Sequence, residues 1–98
     1  MTYEIIISPQ ADQELEDIAL FIAEDSPKRA ISFIDELLDS VQTRLTSFPY
    51  IGKEYKFKQR MIVFKGYIIF YGVNETTKTV SISHILNPAK YSAYKHLI

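Results

Sequence analysis

The chain has 98 residues, of which 47% are hydrophobic and 23% charged, and none is cysteine. These are the proportions of an ordinary globular domain; they exclude a disordered chain, a disulfide framework, a thiolate nucleophile and a cysteine-based zinc site. The net charge of −1 conceals a division: residues 1–52 hold ten acidic and three basic side chains, a balance of −7, and residues 53–98 hold eight basic and two acidic, a balance of +6.

A chain of this length forms one domain, here 1–98, with a modest core that buries about 60–70% of the surface its unfolded form exposes. Two histidines, His84 and His96, supply too few ligands for a metal site, so no metal or other cofactor is expected. The N-terminus lacks a basic region and its apolar run is too short for a signal peptide or a membrane span, which makes a cytoplasmic location the expectation, with no membrane partner.

Tyr3 to Ile7 is short and β-branched and stops at Ser8-Pro9, the pattern of a strand followed by a helix cap. Ala11, Leu15, Ile18, Ala19 and Ile22 then fall on one helical stripe, ending near Glu24-Asp25. Ser26-Pro27 repeats the start signal, and Ala30, Phe33, Ile34, Leu37, Leu38, Val41 and Leu45 carry a second helix to Ser47-Phe48-Pro49. Two helices joined by so few residues fold back as a hairpin. Beyond Gly52 the pattern turns to strands over Arg60–Phe64, Tyr67–Val73 and Thr79–Leu86, linked by loops of hairpin length. The predicted class is α+β, in the order β-α-α-β-β-β, with the helical hairpin packed on a small antiparallel sheet. The tail from Ala89 to Ile98 is read as a short helical turn or loose chain.

Three groups of residues are candidates for chemistry. Lys53, Lys56, Lys58 and Arg60, interleaved with Tyr55 and Phe57, suit phosphate neutralisation and base stacking. The same lysines suit better a solvated loop or edge strand kept unpaired by charge. His84 is a potential acid or base, but no carboxylate lies near it in sequence, which favours a structural histidine. Asp12, Glu14, Glu16 and Asp17 sit where a helix dipole favours carboxylates and read as a solvated face.

Taken in order, Ile7-Ser8-Pro9-Gln10-Ala11, Leu15-Glu16-Asp17-Ile18, Phe21-Ile22-Ala23-Glu24-Asp25, Ala30, Phe33-Ile34, Leu37, Phe48-Pro49-Tyr50-Ile51-Gly52-Lys53, Arg60, Tyr67-Ile68-Ile69-Phe70-Tyr71, Val80-Ser81-Ile82 and Ile85 resemble the RelE/ParE superfamily of type II toxins, the ParE branch most closely. The resemblance spans nearly the whole chain. It implies a toxin held by a cognate antitoxin in a hetero-oligomer, with one of two activities. ParE-like members inhibit DNA gyrase without turning over a substrate, whereas RelE-like members cut mRNA in the ribosomal A site, and the shared fold does not choose between them.

For cleavage, the family pattern would draw on Lys56, Lys58, Arg60, His84, Lys90 and Tyr91. Here His84 stands where relatives often have Arg, Asn87 replaces a frequent His, and Lys90 a frequent Arg. Losing bidentate guanidinium contacts weakens phosphate recognition. A chain of net charge −1 is also poorly suited to approach the ribosome. The expected activity is therefore a ParE-like, non-enzymatic inhibitor of gyrase; the alternatives are a RelE-like mRNA interferase and an attenuated toxin fold acting as an antitoxin-binding module. Target binding is assigned to Lys53, Lys56, Lys58, Arg60, His84 and Lys90. Antitoxin binding is assigned to Phe21, Tyr50, Ile51, Phe57, Tyr67 and Tyr71, apolar residues that otherwise complete the core and its rim.

Overall fold

The computed structural model describes residues 2–87. The tail, with Lys90, Tyr91 and His96, lies outside them. The element order is β1 (Glu4–Ile7), α1 (Pro9–Asp25), α2 (Pro27–Ser47), β2 (Lys53–Glu54), β3 (Gln59–Phe64), β4 (Tyr67–Asn74) and β5 (Thr79–Leu86).

Local chemistry sets the helix boundaries where the sequence places them. The Ser8 hydroxyl accepts the Ala11 N–H at 3.1 Å, and Pro9 occupies the first helical position, where no N–H is needed. Ser26 serves both helices: its N–H donates to Ile22 O at 2.9 Å, closing α1, and its hydroxyl accepts the Arg29 N–H at 3.2 Å, opening α2. A single extended residue thus joins the two helices, which forces the tight hairpin.

The sheet has the strand order β1-β5-β4-β3-β2. The last three strands form the expected antiparallel meander, with β5 as predicted and β3 and β4 each longer by one residue. The short edge strand β2 was not anticipated; it pairs Lys53 with Met61 and Glu54 with Arg60. β1 docks on the other side of the meander, parallel to β5, with Glu4 opposite Thr79 and Ile7 opposite Ile82, so the sheet is mixed.

Ala11, Leu15 and Ile18 of α1 and Leu37, Val41 and Leu45 of α2 meet Ile62, Ile69, Tyr71, Val80, Ile82 and Ile85 of the sheet. Removing these side chains from water drives the assembly, at about 1.5–3 kcal/mol for each large one. Tyr71 differs from its neighbours. It is fully buried, and its hydroxyl accepts the Gly52 N–H at 2.8 Å, tying the loop that follows α2 to the centre of the sheet. Burial raises the Tyr71 pKa, the Gly52 hydrogen bond acting in the opposite sense. The fit leaves no room for a side chain at Gly52, where a Cβ would stand 2.5 Å from the Tyr71 hydroxyl and 2.7 Å from Met61 O.

The Tyr71→Phe variant keeps the ring but strands a buried N–H, and should lose about 1–3 kcal/mol in urea denaturation. Gly52→Ala should lose about as much or more, because overpacking forces the loop off the sheet.

Candidate functional site

The β4–β5 ladder contains a bulge. Phe70 pairs with His84 and Tyr71 with Ile82, so Ser83 is the additional residue. Its hydroxyl lies 3.2 Å from both Phe70 O and Gln59 Oε1 and donates to one of them. Unbroken alternation would put His84 on the core face with Val80 and Ile82. The bulge instead sends Ile85 into the core and brings His84 to the opposite face, beside Phe70.

That opposite face carries a cleft of about 390 Å³ lined by Tyr55, Lys56, Phe57, Gln59, Phe70, Ser83 and His84. Tyr55 and Phe70 meet edge to face with ring centroids 5.5 Å apart and form its apolar wall. Lys56 and His84 supply the basic groups.

The sequence left His84 without a carboxylate, and the fold provides one. β1 ends opposite Ile82, so the edge of β5 beyond that point has no neighbouring strand. Ser8 covers the first gap, its N–H donating to Ile82 O at 3.0 Å and its hydroxyl to Ser83 O at 3.2 Å. Glu14 covers the next. Its Oε1 accepts the Ile85 N–H at 3.0 Å, and both carboxylate oxygens lie 3.3 Å from His84 Nδ1. The Glu14 side chain is 13% exposed, so it does not belong to the solvated acidic face assigned to it from sequence. An imidazole oriented by a carboxylate and facing a cleft is suited to donate a hydrogen bond or exchange a proton.

The remaining basic candidates separate. Arg60 is largely buried and structural: its guanidinium donates to Tyr50 O at 3.2 Å and Gly52 O at 2.9 Å, stacks over the Tyr50 ring at 5.1 Å, and lies 3.6 Å from Glu54. Lys58 joins Arg60, Tyr50, Glu54 and Glu75 around a second recess. Lys53 is exposed on the edge strand. Lys56 and His84 therefore share a site, while Lys58 and Arg60 line another in which carboxylates oppose them.

The apolar candidates separate too. Phe21 is 66% exposed and lines a groove with Asp17, Ile18, Tyr67 and Leu86 between α1 and the end of the sheet. Tyr50 and Ile51 are exposed on the loop anchored by Tyr71. Phe57 is exposed at the tip of the β2–β3 hairpin. Tyr71 is corrected: enclosed by the core, it offers no surface to a partner. Sequence reasoning missed Glu14, Gln59, Phe70 and Ser83 as site residues. No local signal marks them, because their roles depend on contacts between distant segments.

The turn joining β2 to β3 is strained. Gln59 N–H donates to Lys56 O at 2.9 Å, and the two residues between, Phe57 and Lys58, have φ of 49° and 65°. Non-glycine residues pay about 1–2 kcal/mol each for this left-handed region. The β3–β4 turn, with the same need, has Lys65 at 47° followed by Gly66 at 87°.

Near the start of β1, Tyr3 and Lys78 donate hydrogen bonds to Glu75, and Lys78 lies over the Tyr3 ring. Hydrogen bonds from Tyr3, Tyr50 and Lys78 hold Glu75 down at about 2, and the bond to Glu75 leads the causes that push Tyr50 up to about 12.

Among the described residues no helix is long and apolar enough to cross a membrane, and no group of three or more His, Asp and Glu is arranged to hold a metal.

The helical hairpin over a five-stranded mixed sheet defines the class as the RelE/ParE toxin fold, and solved structures agree. A chain of the chromosomal ParDE toxin–antitoxin system from P. aeruginosa superposes with a TM-score of 0.73 at 14% identity, over 87% of this chain and 95% of that one. The toxin–antitoxin complex RelBE2 from Mycobacterium tuberculosis gives 0.65 at 15% identity, over 89% and 99%. A family model for the ParE toxin of type II toxin–antitoxin systems, parDE, matches residues 5–90, and the chain belongs to that family. No curated protein matches it in sequence.

Two outcomes follow from this geometry. Glu14→Ala leaves the Ile85 N–H without an acceptor and should cost about 1–3 kcal/mol in chemical denaturation, whereas Glu14→Gln, which keeps an oxygen, should cost less. The Glu75 contribution to stability is complete above its unfolded value of 4.5 and is lost as pH falls towards about 2. Glu75→Gln should therefore flatten the acid limb of a Tm-versus-pH curve across that window.

Proposed function

We propose that the chain inhibits DNA gyrase by binding it, without cleaving RNA, and that a cognate antitoxin neutralises it by direct contact. The observation that carries this reading is the dispersal of the basic residues. Cleavage by the RNA 2′-hydroxyl needs a base, an acid and phosphate-binding cations converging on one phosphate. Among the described residues, Arg60 is engaged by two backbone carbonyls and stacked on Tyr50, Lys58 lies across the recess of Glu54 and Glu75, and the Phe70 face retains Lys56 and a carboxylate-bound His84. This suits surface recognition of a protein better than phosphoryl transfer. Membership of the ParE family favours the same reading.

The antitoxin's site is the Phe21 groove. Phe21, Tyr67, Ile18 and Leu86 offer apolar surface, and Glu14 and Asp17 lie at its margin. An amphipathic segment with basic residues beside its apolar face would complement it. Its two carboxylates come from α1, in the acidic half of the chain, which gives part of the −7 balance a role in holding the antitoxin rather than the target.

The purified chain should reduce gyrase supercoiling in a concentration-dependent manner, with activity restored by an equimolar amount of the product of the adjacent antitoxin reading frame. Programmed ribosomes incubated with the chain should keep their mRNA intact. Codon-phased cuts with unaffected gyrase would overturn the proposal.

A further inference from the structure

Phe57 combines two features that are costly for a folded protein. It is 89% exposed, more than any other large apolar side chain among the described residues, and it holds a left-handed backbone conformation that glycine or asparagine adopts far more readily. Lys58 beside it is equally left-handed. The hairpin itself does not require a bulky residue there, since the β3–β4 turn of the same sheet meets a similar demand with Gly66. Backbone strain of this kind persists where the surrounding structure holds it, and it concentrates at sites of function.

The neighbourhood indicates what the ring would contact. Tyr55 N–H donates to Gln59 O at 2.7 Å, so the turn is held from within and the ring projects from a fixed base. Lys56 Nζ lies 5.9 Å from the Phe57 ring centroid, and Lys56 and Lys58 flank it in the chain, with Lys53 on the adjoining edge strand. Glu54, the acid of this segment, is opposed by Arg60. An exposed aromatic ring among lysines complements an apolar pocket rimmed by carboxylates. It does not complement the partner of the Phe21 groove, because a segment carrying bases for Glu14 and Asp17 would be repelled by these lysines.

We infer that Phe57 is a projecting anchor that inserts into an acid-rimmed apolar pocket on the toxin's protein target and lies outside the antitoxin interface. The inference deepens the inhibitor reading and rests on it. It makes the β2–β3 hairpin the recognition element and the adjacent cleft walled by Tyr55 and Phe70 its continuation.

Glycine substitutions separate this role from a structural one. Phe57→Gly removes the ring and relieves the turn, so its Tm should equal or exceed that of the parent. The cellular protein level needed for half-maximal growth arrest should nevertheless rise at least tenfold. Its affinity for the product of the adjacent antitoxin reading frame should change less than twofold. Lys65→Gly, which relieves a left-handed residue in the β3–β4 turn and keeps the ring and its flanking lysines, should arrest growth at no more than threefold the parental level. Arrest by Phe57→Gly at the parental level, an equal loss of antitoxin affinity, or a lowered Tm would overturn the inference. A parental chain that arrests growth without affecting gyrase would overturn the gyrase assignment alone, leaving the hairpin result to stand. A parental chain that arrests nothing would overturn both.

Discussion

The hydrogen bond from the Gly52 N–H to the buried Tyr71 hydroxyl links the core of this protein to the loop and hairpin on its surface. In the loop after α2 Pro49 is buried, but the larger apolar residues Phe48, Tyr50 and Ile51 all face outward. Tyr71 reaches it from the middle of the sheet with a polar group that must find a partner when buried. Once Gly52 is fixed, its carbonyl and that of Tyr50 become a seat for the Arg60 guanidinium. Arg60 in turn pairs with Glu54 across the short β2–β3 ladder. The strained hairpin that carries Phe57 is thus built outward from one phenol, each contact depending on the one before.

A second constraint acts at the other side of the sheet. β1 is shorter than β5, and the backbone groups left over at the β5 edge have to be satisfied by something other than a strand. α1 supplies it, through its capping serine and then through Glu14. The same carboxylate orients His84, which the Ser83 bulge has turned away from the core. Edge protection and site construction are therefore one arrangement: the residue that completes the sheet also defines the polar end of the cleft. Natural sheets often cover an exposed edge in this way.

The charge division of the sequence acquires a spatial sense from these contacts. The acidic half forms β1 and the helical hairpin, and part of its charge borders the Phe21 groove. The basic half forms the meander, but its cations do not act as a block. Arg60 and Lys58 face carboxylates, Lys65 and Lys78 pair with Glu36 and Glu75, and Lys53 and Lys56 remain beside the hairpin tip. Among the described residues, the basic balance read along the chain becomes a few cations around one aromatic ring.

The sequence by itself determined the helices, the meander and the family resemblance. These rest on local signals: Ser-Pro caps, apolar spacing, and β-branched runs broken by turns, each the product of neighbours within a few residues. It named Lys56, His84, Phe21 and Phe57 as surface candidates by residue type. Only the tertiary structure decided which of them share a site. It removed Tyr71 from the surface, because burial depends on what packs above a strand. It moved Glu14 from a solvated face to the β5 edge, because strand length mismatch is visible only once β1 and β5 are paired. It turned His84 outward through a bulge that an alternating pattern does not reveal, and it separated Arg60 from Lys56 by engaging it with the backbone of another loop. The fold was legible because its signals are local and periodic; the site was not, because it is made by residues up to 71 positions apart in the chain.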